Sequence, residues 1–138
     1  MSDKLLIDTN VMLDLAMARH PNFDAAAAIA EAVADYEVSA CVCATSLKDL
    51  YYVLTRHMGE ADARLYVQAV MEDFEVCPVD LVTCQTAITS NEPDFEDGIV
   101  RACAEAAQVD FVISRDEKAF ARSRIKRLSA QEYVEHFL

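Results

Sequence analysis

The stretch Leu5-Leu6-Ile7-Asp8-Thr9-Asn10 decides the fold. Three consecutive apolar residues, with no polar alternation, read as a strand buried on both faces. The run stops on a carboxylate, and a helix follows with Val11, Leu15 and Ala18 on one face until His20-Pro21-Asn22 breaks it. The same grammar repeats along the chain. Residues 23–36 are Ala-rich and read as a helix, and the apolar, β-leaning run 38–44 reads as a second strand. Thr45 or Ser46 can cap a third helix ending near His57, and after Gly59 residues 60–73 form a fourth. Residues 74–78 give a third strand stopped by Pro78, and residues 81–90 a helix. Asn91 to Asp94 is a turn and cap opening a helix over 95–107. Residues 109–114 are a fourth strand, 115–121 a loop with a short helical turn, and 125–128 a last strand. Ser129 caps a terminal helix. Strands alternating with helices predict an α/β protein with a small parallel sheet covered on both faces.

The chain has 138 residues, 24 Asp and Glu against 12 Lys and Arg, and a formal charge of −12. The length suits one domain spanning residues 1–138. With 54% hydrophobic residues, 2 Gly and 3 Pro, the composition excludes disorder and low-complexity arrays. The charge excludes coating of nucleic acid or anionic lipid by bulk attraction, since such partners repel the chain. It leaves open a nuclease that holds phosphate through metal ions. The five cysteines, Cys41, Cys43, Cys77, Cys84 and Cys103, include no Cys-x-x-Cys pair and read as reduced, mostly buried thiols. His20, His57 and His136 lack zinc-type spacing. No basic leader precedes Leu5, and no apolar run nears the roughly 20 residues of a membrane span, so a cytoplasmic protein without a membrane segment is expected.

The acids fall in a pattern. Asp8 ends the first strand, and Asp116 follows the fourth by two residues. In open α/β sheets ligands bind beyond the carboxyl ends of the strands, so Asp8 and Asp116 can share one crevice. Each could equally cap the next helix. Asp94 and Asp97, in Asp94-Phe-Glu-Asp97-Gly, start a helix where its dipole favours acids, and they lie on one side of it. Asp49 lies in the third helix, nearly opposite its core stripe Leu47, Leu50, Tyr51 and Leu54, with Thr45, Tyr52 and Arg56 beside it. On such a face a carboxylate is ordinarily just solvated. Two carboxylates 4 Å apart repel by about 4 kcal/mol at an effective dielectric of about 20, so a cluster of them calls for a divalent cation. Oxygen ligands favour Mg²⁺ or Mn²⁺, which can activate a water and stabilise charge on a phosphodiester.

Four segments, in order, carry a resemblance. They are Leu-Leu-Ile-Asp8-Thr9-Asn10-Val, Ala-Thr-Ser-Leu-Lys-Asp49-Leu-Tyr-Tyr-Val-Leu, Asp94-Phe-Glu-Asp97-Gly, and Ile-Ser-Arg-Asp116-Glu-Lys-Ala-Phe120. Together the chain resembles the PIN domains, including the VapC-type toxins of toxin–antitoxin pairs. The resemblance spans nearly the whole chain, from Leu5 to the terminal segment. It implies a three-layer α/β/α fold and an endoribonuclease using Mg²⁺ or Mn²⁺. Asp8 would be the central metal ligand, with Thr9 or Asn10 steadying its loop. Asp97 and Asp116 would be the later two acids, Ser114 the small hydroxyl residue before the last, and Asp94 an outer or substrate-side group. Asp49 departs from the pattern, because most of the family has glutamate there. One methylene shorter, Asp49 would reach a metal through water. An antitoxin partner and a homodimer are further implications, the antitoxin blocking the acidic cleft with an Arg or Lys side chain.

Residues 1–100 hold 5 Lys and Arg against 18 Asp and Glu, whereas residues 101–138 hold 7 against 6. Arg115, Lys118, Arg122, Arg124, Lys126 and Arg127 follow the fourth strand closely, and the first four are candidates for guiding an RNA backbone. An ordinary solvated basic loop is the alternative. A rival function is a catalytically degenerate PIN-like module binding RNA or protein, favoured by the short Asp49. A phosphatase of the haloacid dehalogenase type also begins with an aspartate after its first strand. It needs a second aspartate two residues on, where this chain has Asn10.

Overall fold

A computed structural model describes residues 2–138. Five strands, β1 (Lys4–Ile7), β2 (Ser39–Cys43), β3 (Glu75–Cys77), β4 (Phe111–Ile113) and β5 (Lys126–Leu128), form one sheet in the order β3-β2-β1-β4-β5. Every pairing is parallel, with Leu6 opposite Cys41 on one side and Val112 on the other. β1 is central, which is why Leu5 and Leu6 are fully buried. Seven helices complete the fold: α1 (Thr9–Ala16), α2 (Phe23–Ala34), α3 (Ala44–Met58), α4 (Glu60–Asp73), α5 (Leu81–Ile88), α6 (Phe95–Ala107) and α7 (Ala130–Phe137).

The strand alternation sorts side chains into two cores, as the two-residue period requires. Leu5, Ile7, Ala40, Val42 and Ile113 face one layer, where they meet Leu13, Ile29, Leu50, Leu54 and Tyr133. Leu6, Cys41, Cys43, Cys77 and Val112 face the other, against Ile99, Cys103 and Ala104 of α6 and Phe120 and Ile125 of the following loop. The fold is therefore the expected three-layer α/β/α arrangement. Four of the five cysteines are buried, Cys84 is half-buried, and all five are free thiols. No helix among the described residues is long and apolar enough to cross a membrane.

Several expected details are corrected. Neither Thr45 nor Ser46 caps α3, which begins at Ala44 straight off β2 with Cys43 in the cap position. The Ser46 hydroxyl is buried and accepts a hydrogen bond from Thr9 Oγ1 instead (2.8 Å). α1 stops before Ala18, which sits at φ 50°, and α2 stops before Tyr36, at φ 59°. The segment 115–121 contains no helix. The Asp116 carboxylate folds it into a turn by accepting from the Lys118 and Ala119 amides (3.0 and 3.3 Å).

Candidate active site

Asp8 stands where β1 becomes α1. Its amide donates to the carbonyl of Ile113 at the end of β4 (2.9 Å), so the carboxyl ends of the two central strands are held side by side. Its carboxylate is oriented from two directions. Oδ1 accepts from the Thr9 amide (2.8 Å), and Oδ2 accepts from the buried Ser114 hydroxyl (2.8 Å). Asp8 is thus both the cap of α1 and a fixed acid at the sheet edge. Ser114 Oγ also accepts from the Asp116 amide (3.1 Å), linking the first and last acids through one hydroxyl. Thr9 steadies the turn by reaching Ser46 on α3, while Asn10 is exposed.

Asp94 caps α6, its Oδ1 accepting from the Asp97 amide (2.8 Å). Asp97 follows in the first turn, half-buried. Asp8, Thr9, Asn10, Asp49, Asp94, Asp97 and Asp116 line one cleft of about 560 Å³ at the carboxyl edge of the sheet. Glu96, which reads in the sequence as one more first-turn acid, lines it too. So do Lys48, Tyr52 and Phe95.

These acids crowd one another. Burial, followed by the negative Asp94, Asp116 and Asp8, pushes Asp97 up to about 7. Asp8 is also held above the ordinary carboxylate range, first by burial, against the opposing hydrogen bonds from Ser114 and Thr9. Glu96 is raised by burial and then by Asp49 and Asp94. Such perturbed groups in a cleft mark functional sites. The donors are all oxygens, which suits a hard divalent cation. Among the described residues no three His, Cys, Asp or Glu side chains gather as a ready cage, so the carboxylates share a cleft rather than a coordination shell.

The basic segment after Asp116 is partly occupied in holding the fold. Arg115 pairs with the buried Asp14 (3.1 Å), and Arg124 donates to the Glu105 carbonyl (3.0 Å). Lys118 and Arg122 are exposed, and their side chains form no ion pair among the described residues. None of the four lines the cleft. Asp14 and Glu92 are the acids that sequence reading overlooked. Asp14 hides on the apolar face of α1. Glu92 accepts from the Phe120 amide (2.7 Å) and pairs with Arg101 (3.2 Å), anchoring the same loop from its far end.

A five-stranded parallel sheet with carboxylates gathered beyond its central strands defines an α/β protein with an acidic crevice at the carboxyl edge of its sheet. The chain belongs to the PIN domain family, whose model matches residues 4–118. Its fold is that of several solved toxins and toxin complexes. A toxin–antitoxin complex from Klebsiella pneumoniae is 16% identical, with a TM-score of 0.68, covering 91% of this chain and 97% of that one. VapC20 of Mycobacterium tuberculosis, described as a sarcin-ricin loop cleaving toxin, is 16% identical, with a TM-score of 0.65, covering 82% and 90%. DNA-bound VapBC from Salmonella typhimurium is 15% identical, with a TM-score of 0.64, covering 94% and 99%. No curated protein matches the chain by sequence.

Proposed function

We propose that the chain is a cytoplasmic endoribonuclease that hydrolyses RNA phosphodiester bonds with Mg²⁺ or Mn²⁺, and that it is the toxin of a toxin–antitoxin pair. The observation that carries this reading is the single cleft lined by Asp8, Asp49, Asp94, Glu96, Asp97 and Asp116, with Asp97 pushed up to about 7 by burial and neighbouring charge. Asp8, Asp97 and Asp116 would hold the ion. When bound, it supplies the positive charge that this crowd lacks, lowers the pKa of a water and neutralises the phosphate.

The chain's own residues do the rest. Ser114 and the Thr9 amide fix the Asp8 carboxylate in one orientation, so no rotamer freedom is lost as ligand arrives. Asp97, pushed up to about 7 by burial and the neighbouring carboxylates while the cleft lacks a cation, would give up its proton on taking the ion. Asp49 and Glu96 line the same cleft and add to its negative charge. The attacking group would be the activated water, so cleavage would proceed without a covalent enzyme intermediate. Membership of the PIN family and the VapC-like fold support the toxin role. The partner would be a small antitoxin placing an Arg or Lys side chain among these acids, and the toxin itself a homodimer. The degenerate binding module remains the second reading, favoured by the short Asp49.

The test is incubation of a panel of RNAs with Mg²⁺ or Mn²⁺, wild type beside Asp8→Asn. We expect cleavage by the wild type and a loss of at least about 100-fold in the variant with its circular dichroism unchanged. Equal cleavage by both would refute the assignment. Calorimetry with Mn²⁺ separates the second reading, because a degenerate module takes up no ion in an Asp8-dependent way.

A further inference from the structure

Four of the five cysteines share one place. Cys41 and Cys43 are two residues apart on β2 and so point to one face of the sheet, and Cys77 of β3 stands opposite Cys43 in the register. Cys103 packs onto that face from α6, and all four belong to one buried core. Among the described residues the core on the opposite face contains no cysteine. Cys103 Sγ lies 3.9 Å from the carbonyl oxygen of Pro78, the residue after Cys77.

A buried cysteine is ordinarily an inert, small apolar side chain. Cys77 differs from the other three in two ways. It lies on β3, a three-residue edge strand paired only with β2, and it is the least buried of the group, at 8% exposure against 3% for Cys103 and 0% for Cys41. Its thiol is also held below the ordinary range by those of Cys103 and then Cys41, with Lys4 adding to the effect, whereas Cys103 and Cys41 are pushed up. A thiol with thiolate character on a short edge strand is the one that a small oxidant meets first. Its partner follows from the register. Cys41 pairs with Glu75, two residues from Cys77, which sets the Cα atoms of Cys41 and Cys77 about 7–8 Å apart, beyond the reach of a disulfide. Cys43 is directly opposite, but the two side chains stand up from the sheet side by side. Cys103 comes from the facing layer and meets Cys77 end on.

We propose that Cys77 and Cys103 form a peroxide-reactive dithiol that closes to a disulfide, pinning the middle of α6 to β3. The Cys77 sulfur attacks one oxygen of a hydroperoxide. The O–O bond breaks, an S–O bond forms, and the other oxygen leaves with the thiol proton as water or an alcohol. The Cys103 sulfur then attacks the resulting sulfenic acid. An S–S bond forms, the S–O bond breaks, and the hydroxide leaves with the Cys103 proton as water. The two thiols lose two electrons in all, and the peroxide gains them. A dithiol reductant reverses the bond, which suits a transient mark in a reducing compartment. The site is separate from the acidic cleft and does not rest on the ribonuclease reading. It bears on the cleft only through α6, which also carries Asp94 and Asp97.

The test is hydrogen peroxide treatment of the folded, reduced Cys84→Ser chain, followed by alkylation in urea, intact mass and a tryptic map without reductant. Trypsin separates the thiols, because Cys41 and Cys43 fall in residues 20–48, Cys77 in 65–101 and Cys103 in 102–115. We expect a monomer with two fewer alkylatable thiols, about 2 Da lighter before alkylation, whose map joins 65–101 to 102–115. Dithiothreitol should restore both thiols. In the Cys103→Ala chain, dimedone should trap a sulfenic acid on Cys77, and in Cys77→Ala the Cys103 thiol should stay free.

A bridge from 20–48 to either other peptide, sulfinic or sulfonic acid without a bridge, a bond that forms only in urea, or four thiols left intact by peroxide would each overturn the pair. The map of the Cys84→Ser chain decides the matter even where a core variant fails to fold.

Discussion

Asp14 is 1% exposed and sits among Val11, Met12 and Leu13 on the buried face of α1. A lone carboxylate there would be costly, and it is held by two guanidiniums. Arg19 Nε lies 3.0 Å from Oδ1, and Arg115 Nε lies 3.1 Å from Oδ2. Arg19 also donates to the Asn10 carbonyl (3.2 Å), at the turn that carries Asp8. Arg115 precedes Asp116. One buried acid thus ties the backbone on both sides of the cleft, without lining it. Removing one partner of a buried ion pair costs about 3–5 kcal/mol, because the other charge is left stranded. Here the guanidiniums are 38% and 43% exposed and can turn to water, so the cost should be smaller. We expect Asp14→Ala to lower stability by about 2–3 kcal/mol in urea denaturation. Arg115→Ala added to that variant should cost little more, since the pair it belonged to is already gone. Full additivity of the two losses would show that Arg115 does not act through Asp14.

At the scale of the element, α6 decides where the later acids stand. Its start is fixed by the Asp94 cap and its depth by Gly98. A Cβ added at Gly98 would lie 2.7 Å from the carbonyl oxygen of Ala87 in the last turn of α5 and 2.9 Å from Ser90 Oγ just beyond it. Alanine is the better helix former by about 1 kcal/mol, but crowding a packed interface costs about 1–3 kcal/mol, and a backbone oxygen cannot rotate aside as a side chain can. Gly98→Ala should therefore lower stability by about 1 kcal/mol on balance, as read from a denaturation midpoint with unchanged slope. A rise in stability would show that α5 yields freely. The boundaries of α6 were legible because cap and apolar stripe agree, and the start of α7 because Ser129 is its cap, to which the structure adds Glu132 as the other half of a capping box. The start of α3 was not, because the hydroxyl that looked like its cap is engaged by Thr9, a partner distant in sequence. The five strands could be placed from their apolar runs, Asp8, Asp94, Asp97 and Asp116 from strand ends and a helix start, and Asp49 from the polar face of its helix. Glu96 was masked by the ordinary preference for acids in a first turn, and Asp14 by the apolar stripe around it. The ties of Arg115 and Arg124 to α1 and α6 arise only when the chain is folded, so spacing carried no sign of them.

For the whole molecule, the charge of −12 is unevenly expensive. Glu60, Asp80 and Glu132 are exposed and hydrogen-bonded, and their carboxyls are lowered, by Tyr51, the Thr83 amide and the Ser129 amide in turn. Solvent screening makes those gains small. The cleft acids behave in the opposite sense. Asp97, pushed up to about 7, and Asp8 and Glu96, also raised, bind protons in the folded chain that the unfolded chain has already released. Stability rises with pH only where the unfolded state holds more protons, so here it must fall as pH climbs. The contribution of Asp97 is fully present below the ordinary carboxylate value of about 4 and is lost as pH passes about 7. In EDTA, the midpoint of thermal unfolding should therefore drop between about pH 5 and about pH 7.5, and Asp97→Asn should flatten that slope. Mn²⁺ at about 100 times its dissociation constant should then restore about 2.7 kcal/mol at the upper pH, where the acids are ionised, and less at the lower. The measurement is a set of melts followed by circular dichroism. A midpoint that rises with pH in EDTA, or an Mn²⁺ effect no larger at the upper pH, would mean that the cleft carboxylates do not repel one another enough to call for a cation.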